Sequence, residues 1–454
     1  MGVKTTIREV DKIKPVVMAT IALVVGLAIG IGAGWVAKPA EVITGPGVTA
    51  TATTTKTVTV TPPAAGGLSG EVKIGWVDGL TGGNAFWGEA ARTTADIALE
   101  EVNQYLNETN AGWKMTIVYE DSETKPDVAL EKLKSLHARG ITIVSGWGTS
   151  ADLRGSIQYA NSNKLLLLAY GSNAADLSIA GDLVYRLMPT SRVESKVPAA
   201  IAKDLGVKYL VPMWRGDTYG DSMIKLLKQY CTERGIQVDE GVRYDPNATE
   251  FSAEAASFAS RVNNAIATYG ADKVGVTVHC FEEGKAIFSA LAAYNPVNWG
   301  VHWVGVGGLV LTDWALEGDT AKIISGSKAV YGCLVPTPNA KLTKVQAETK
   351  AKLGREADIY GLNGYDAVWM LALALNSAKS YDSDAVASQL PWVAQNYMGV
   401  TGWSPFDEYG DREGHDYGLF QVVESGGAYK WAQVGMWDFS IDQINWWPQP
   451  QIMG

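Results

Sequence analysis

The chain has 454 residues, 47% of them hydrophobic and 19% charged, the make-up of a packed protein and not of a disordered one. Its net charge of −10 argues against nucleic acid as a partner, because that binding is driven by clustered Lys and Arg. Four His and three Cys are present, with no CxxC or HExxH spacing, so no metal site and no cofactor are expected.

Residues 1–15 carry Lys4, Arg8, Lys12 and Lys14 and precede an uncharged apolar run from Val16 to Ala37. That run is long enough to cross a hydrocarbon core as a helix. The charge asymmetry places residues 1–15 in the cytoplasm and the body outside, as a single-pass protein of the cell membrane. A cleaved signal peptide is the competing reading, although Trp35 spoils the small-residue cleavage site before Ala37. Residues 38–70, rich in Thr and Pro, read as a flexible tether. Asn107-Glu-Thr109 and Asn247-Ala-Thr249 are glycosylation sequons that an exterior body would expose.

From Glu71 onward short apolar runs alternate with amphipathic stretches. VKIGWV, WKMTIVYED, ITIVSG and LLLLAYG read as strands, each followed by a loop and a helical pattern. The alternation resumes with KYLVPMW, GIQVDEGVRY, KVGVTVHC and VHWVGV. Strands separated by helices of this length predict parallel sheets with helices on both faces. The length suits two doubly wound α/β lobes with a cleft between them. Ligands of such sheets bind outside the carboxyl ends of the strands.

The strand-end loops therefore carry the candidates. Gly146-Trp-Gly-Thr-Ser150 and Tyr170-Gly-Ser-Asn173 each leave a strand and enter a predicted helix, where free N–H groups attract anions. Together Ser150 and Asn173 suit one carboxylate; the alternative is that each only caps its own helix. Asp217-Thr-Tyr219 offers a Tyr that closes over a ligand or an Asp that caps a helix. Trp87 and Trp147 lie in loops and suit rigid apolar walls, though most of the 16 Trp are expected in the core. Cys280 and Cys333 each close a strand-like run, which leaves a disulfide between them open. No GxSxG, GxxxxGK[ST] or GxGxxG signature is present, so an enzyme is not expected.

Several stretches carry a resemblance: VKIGWVDGLTGGNAFWGEAARTTADIALEEVN, the segment around DTYGDSM, NGYDAVWMLALAL, and above all GVTGWSPFDEYGDREGHDYGLFQVV. With them residues 71–435 resemble the leucine/isoleucine/valine-binding family, type I solute-binding proteins of ABC importers. The resemblance implies two lobes joined by three crossings, near Pro189, Pro336 and Thr401. Lobe 1 is then 71–190 with 335–400, and lobe 2 is 191–334 with 401–454. It also implies a small-molecule ligand, ABC permease subunits as partners, and capture by lobe closure. The family's carboxylate-binding serine falls on Ser150, its second polar contact on Asn173 beside Gly171, and its cleft aromatics on Trp87, Tyr219 and Tyr365. Its second-lobe carboxylate, which meets a ligand ammonium, falls on Gly307; Glu282 is the expected replacement and Asp217 the second. A hydrophobic amino acid is the favoured ligand, with an amide or organic acid as the alternative. A sensory ectodomain is the competing function.

Overall fold

The computed structural model describes residues 67–453. The expected span Val16–Ala37 and nearly all of the tether lie outside the described residues. Among those described, no helix is long and apolar enough to cross a membrane.

The first lobe is built as expected from βα units. Its strands are β1 (Gly70–Asp78), β2 (Trp113–Asp121), β3 (Ile143–Gly146), β4 (Leu166–Ala169) and β5 (Val184–Pro189). All are parallel, and β3 and β4 are buried throughout, as their unbroken apolar runs require of strands covered on both faces. Helix Ile359–Ala378 returns to this lobe and packs on helix Ala85–Glu108. Gly364 permits the approach: a Cβ there would stand 2.4 Å from the Ala91 carbonyl oxygen. This is the structural meaning of the NGYDAVW stretch.

The second lobe starts with β6 (Tyr209–Arg215), β7 (Gln237–Val238) and β8 (Val242–Tyr244). The single strand expected over GIQVDEGVRY is thus two short ones, both paired with β6. The break falls where Asp239 accepts from the Gly241 N–H (2.7 Å) and Gly241 takes a positive φ. Parallel strands β9 (Val274–His279), β10 (His302–Val306) and β11 (Val330–Leu334) follow. A small pair, β12 (Met398–Gly399) and β13 (Gly402–Trp403), precedes β14 (Asp411–Arg412).

The last strands, β15 (Tyr417–Ser425), β16 (Ala428–Asp438) and β17 (Gln443–Ile452), extend the second sheet in antiparallel fashion. The sheet order is β17-β16-β15-β11-β10-β9-β6-β7, so this lobe is mixed and not purely parallel. The hairpin signal was in the sequence: Gly426 and Gly427 both take positive φ between two alternating runs.

The third crossing comes later than Thr401. β14 is the edge of the first sheet, beside β5, and the chain reaches the second sheet only at Tyr417. The cause is a buried ion pair. Arg186 on β5 donates through Nε and Nη2 to the two carboxylate oxygens of Asp411 at 2.5 and 2.7 Å. Arg186 also donates to the Ala174 carbonyl and the Ser178 hydroxyl, so its charge and most of its donors are met. The adjacent Arg412 reaches the carbonyls of Leu187 and Thr401. Asp366 accepts from Val400 N, Thr401 N and the Thr401 hydroxyl. The most distinctive motif of the chain is therefore a clamp on its crossing.

Candidate functional site

Loops from both lobes meet at the carboxyl ends of the strands. Thr149 is the cap of helix Ser150–Asn163, its side chain accepting from Asp152 N at 3.2 Å. Ser150 is thereby freed from capping. Its Oγ accepts from Asn173 N (3.1 Å), Ala174 N (3.0 Å) and the Ser172 hydroxyl (3.1 Å). The expected second helix start is only a single 3₁₀ turn, Ala175–Leu177, and Asn173 caps nothing. Instead Asn173 Nδ2 donates to Glu194 Oε2 at 2.6 Å. Gly171 lies against the 148 loop, where a Cβ would meet the Gly148 carbonyl at 2.6 Å. Ser150, Gly171 and Asn173 are thus brought together as the sequence suggested.

Trp87 is buried at the cleft. Its indole N–H donates to Asp358 at 2.8 Å, and its ring packs edge-on against Phe281 of the other lobe at 5.3 Å. Phe281 in turn stacks on Tyr219 (5.5 Å) and lies over the Arg215 guanidinium at 3.7 Å. The lobes also touch through Arg154 to Thr218 (3.1 Å) and Ala175 N to the Ser222 hydroxyl (3.1 Å). The cleft is closed.

Four expected positions lie elsewhere or are otherwise engaged. The Trp147 side chain is fully buried in the lobe-1 cluster with Val77, Leu133 and Leu153. Tyr365 is buried between lobe-1 helices and donates to Glu101, which also pairs with Lys344. Glu282 is 41% exposed and bonds Lys285 at 2.9 Å, a surface pair one helical turn apart. Asp217 caps helix Thr218–Glu233 through Gly220 N (3.0 Å) and is bridged to Arg215 at 2.6 Å. Cys280 and Cys333 are both free and buried.

Gly307 explains why the acid expected there is missing. Its φ is +78°, and a Cβ would stand 2.3 Å from the Tyr219 hydroxyl and 3.1 Å from Glu194 Oε1. A side chain has no room because the Tyr219 hydroxyl already fills the space, with a carboxylate from another part of the chain just beyond it. That residue, Glu194, closes the short helix Ser191–Glu194 just after the first crossing and is 1% exposed. Burial pushes its carboxyl up to about 7, opposed only by the Asn173 hydrogen bond. The Tyr219 hydroxyl is buried without a partner among the described residues.

A second buried acid, Asp78, closes β1. Its Oδ1 accepts from Gly79 N (2.9 Å), Asn84 Nδ2 (3.1 Å), the Tyr170 hydroxyl (3.2 Å) and Gly148 N (3.3 Å). It gathers three strand-end loops of lobe 1 onto one oxygen. Burial pushes it to about 7 against the pull of those bonds. Sequence reasoning passed over both acids. Asp78 had a signal, an Asp closing an otherwise apolar strand; Glu194, a lone acid in a polar turn, had none.

The geometry defines a two-lobed α/β fold whose strand-end loops meet in the cleft. The periplasmic binding protein family model matches residues 71–428, and the chain belongs to that family, which is made up of solute-binding proteins. An uncharacterized protein of Methanocaldococcus jannaschii is 28% identical over 404 residues, 85% of this chain and 94% of that one. Among solved structures, a leucine-binding protein of Thermotoga maritima superposes with a TM-score of 0.66 at 20% identity, covering 79% of this chain and 97% of the other. A solute-binding protein of an ABC transporter from Rhodopseudomonas palustris, in complex with 3,4-dihydroxybenzoic acid, gives 0.64 at 16% identity, with 81% and 97% covered.

Proposed function

We propose that the protein is the extracellular solute-binding subunit of an ABC importer that captures a hydrophobic amino acid, doing no covalent chemistry and handing its ligand to a membrane permease. The observation that carries this reading is the convergence of Ser150, Gly171, Asn173 and Trp87 of one lobe with Phe281 and Tyr219 of the other. In the reading, the N–H groups of Asn173 and Ala174, now satisfied by Ser150 Oγ, turn to the ligand carboxylate, with the Ser150 hydroxyl as a further donor. Trp87, Phe281 and Tyr219 wall the side-chain pocket. Lobe closure follows because only the closed state offers contacts from both sides. The span Val16–Ala37 anchors the body to the membrane, and the exposed Asn107 and Asn247 sequons are open to glycosylation.

The variant Ser150→Ala tests the carboxylate end, since Asn173 lends it only a backbone N–H and spends its side chain on Glu194. Charge-assisted hydrogen bonds are worth about 1.5–3 kcal/mol each, so amino-acid affinity measured by calorimetry falls at least tenfold. Unaltered affinity would sink the assignment of this end of the site.

A further inference from the structure

Glu194 is a buried carboxyl with no cation beside it among the described residues. The groups facing it come from five elements. Asn173 Nδ2 donates to it from the loop after β4. Tyr219 from helix Thr218–Glu233, Tyr360 from helix Ile359–Ala378, Cys333 from β11 and Tyr417 from β15 all sense its charge. Burial pushes each of those phenols and that thiol up, so all four are neutral at physiological pH. The nearby cations are committed elsewhere. Arg215 is held by Asp217 and Glu283 at 2.6 and 2.7 Å, and Arg192 by Ser178 and the Ala175 carbonyl. Glu194 thus faces neutral polar groups, the unpartnered Tyr219 hydroxyl, and the bare backbone of Gly307.

An isolated buried carboxylate is costly, and such a group keeps its proton until a cation arrives. Building on the amino-acid reading above, we infer that Glu194 is the acceptor for the ligand's ammonium group and that capture is linked to loss of the Glu194 proton. On binding, the carboxyl O–H gives its proton to solvent, and the ligand N–H⁺ donates to the resulting carboxylate beside the Tyr219 hydroxyl. The linkage sign follows. Burial has raised Glu194 to about 7, and the bound ammonium lowers it again. Affinity therefore falls as pH drops below 7 and levels off above it. A ligand lacking a cation gains nothing from this group and leaves it protonated.

Calorimetry on the purified full-length chain tests this, with the twenty amino acids and their amine-free counterparts, such as L-leucine against 4-methylpentanoate, as probes. Titrations at pH 6 in buffers of different ionisation enthalpy count the protons released. The expected result is about one proton per amino acid bound, with Kd rising about tenfold per pH unit from 7 toward 5. Glu194→Gln keeps the Asn173 bond, loses the pH dependence and binds at least tenfold more weakly. Amino-acid binding with no proton release, or Glu194→Gln at wild-type affinity, overturns the inference. Should that variant fail to fold, the wild-type proton count decides alone. Binding of amine-free acids only overturns this inference and the choice of an amino acid, but leaves the solute-binding reading standing. No binding of any probe overturns all three.

Discussion

Asp411 and Glu194 are both about 1% exposed, yet the chain treats them in opposite ways. Asp411 is met by two nitrogens of Arg186 and by the Ser178 hydroxyl, and sits at a lobe crossing. Among the described residues Glu194 has one amide and no cation, and it sits in the cleft. A fully paired buried acid defines a backbone path. An unpaired one holds free energy in reserve for a partner from outside. Two identical burials thus mark a structural joint in one place and a recognition site in the other.

The sharpest way to break this contrast is Asp411→Ala. It strands the Arg186 guanidinium in a dry site, and removing one partner of such a pair costs about 3–5 kcal/mol. Urea unfolding should show a loss of that order; a change under about 1 kcal/mol would mean the joint does not depend on the pair.

Asp78 sharpens the comparison from the side of the loops. Its carboxyl is raised from 3.8 to about 7, so the folded state favours the neutral form. Its contribution to stability is complete below the unfolded value and is lost as pH rises through 7. Asp78→Asn retains an acceptor oxygen and removes the titration. At pH 8 the variant should be more stable than wild type by about 4 kcal/mol, and at pH 4 nearly equal. Equal stability of the two proteins at both pH values would show that the loops do not depend on a neutral Asp78.

The smallest effect is expected at Glu282. An exposed pair with Lys285 is worth under about 1 kcal/mol. Glu282→Gln should leave both melting temperature and ligand affinity unaltered. A tenfold loss of affinity would restore it as a ligand contact and weaken the case for Glu194.

The path from residues to site divides along a physical line. Periodicity is local, so the alternation from VKIGWV to VHWVGV was enough to read two α/β lobes, and strand ends followed by N–H-rich loops were enough to point at Ser150 and Asn173. The Gly426-Gly427 hairpin was equally local and legible, and was passed over only because the βα rhythm was carried forward. Trp147 and Tyr365 could not be sorted into wall or core from sequence, since an aromatic ring in a loop or on an apolar helix has the same composition either way; packing against Val77 or Glu101 decided it. The TGxxxFDxxGDR motif was visible as a motif, but its role as a clamp needed Arg186, which lies far from it along the chain and next to it in space. Glu194 is the clearest case. What singles it out is the absence of a cation and the exclusion of a side chain at Gly307, and both are properties of a closed three-dimensional neighbourhood that no stretch of sequence contains.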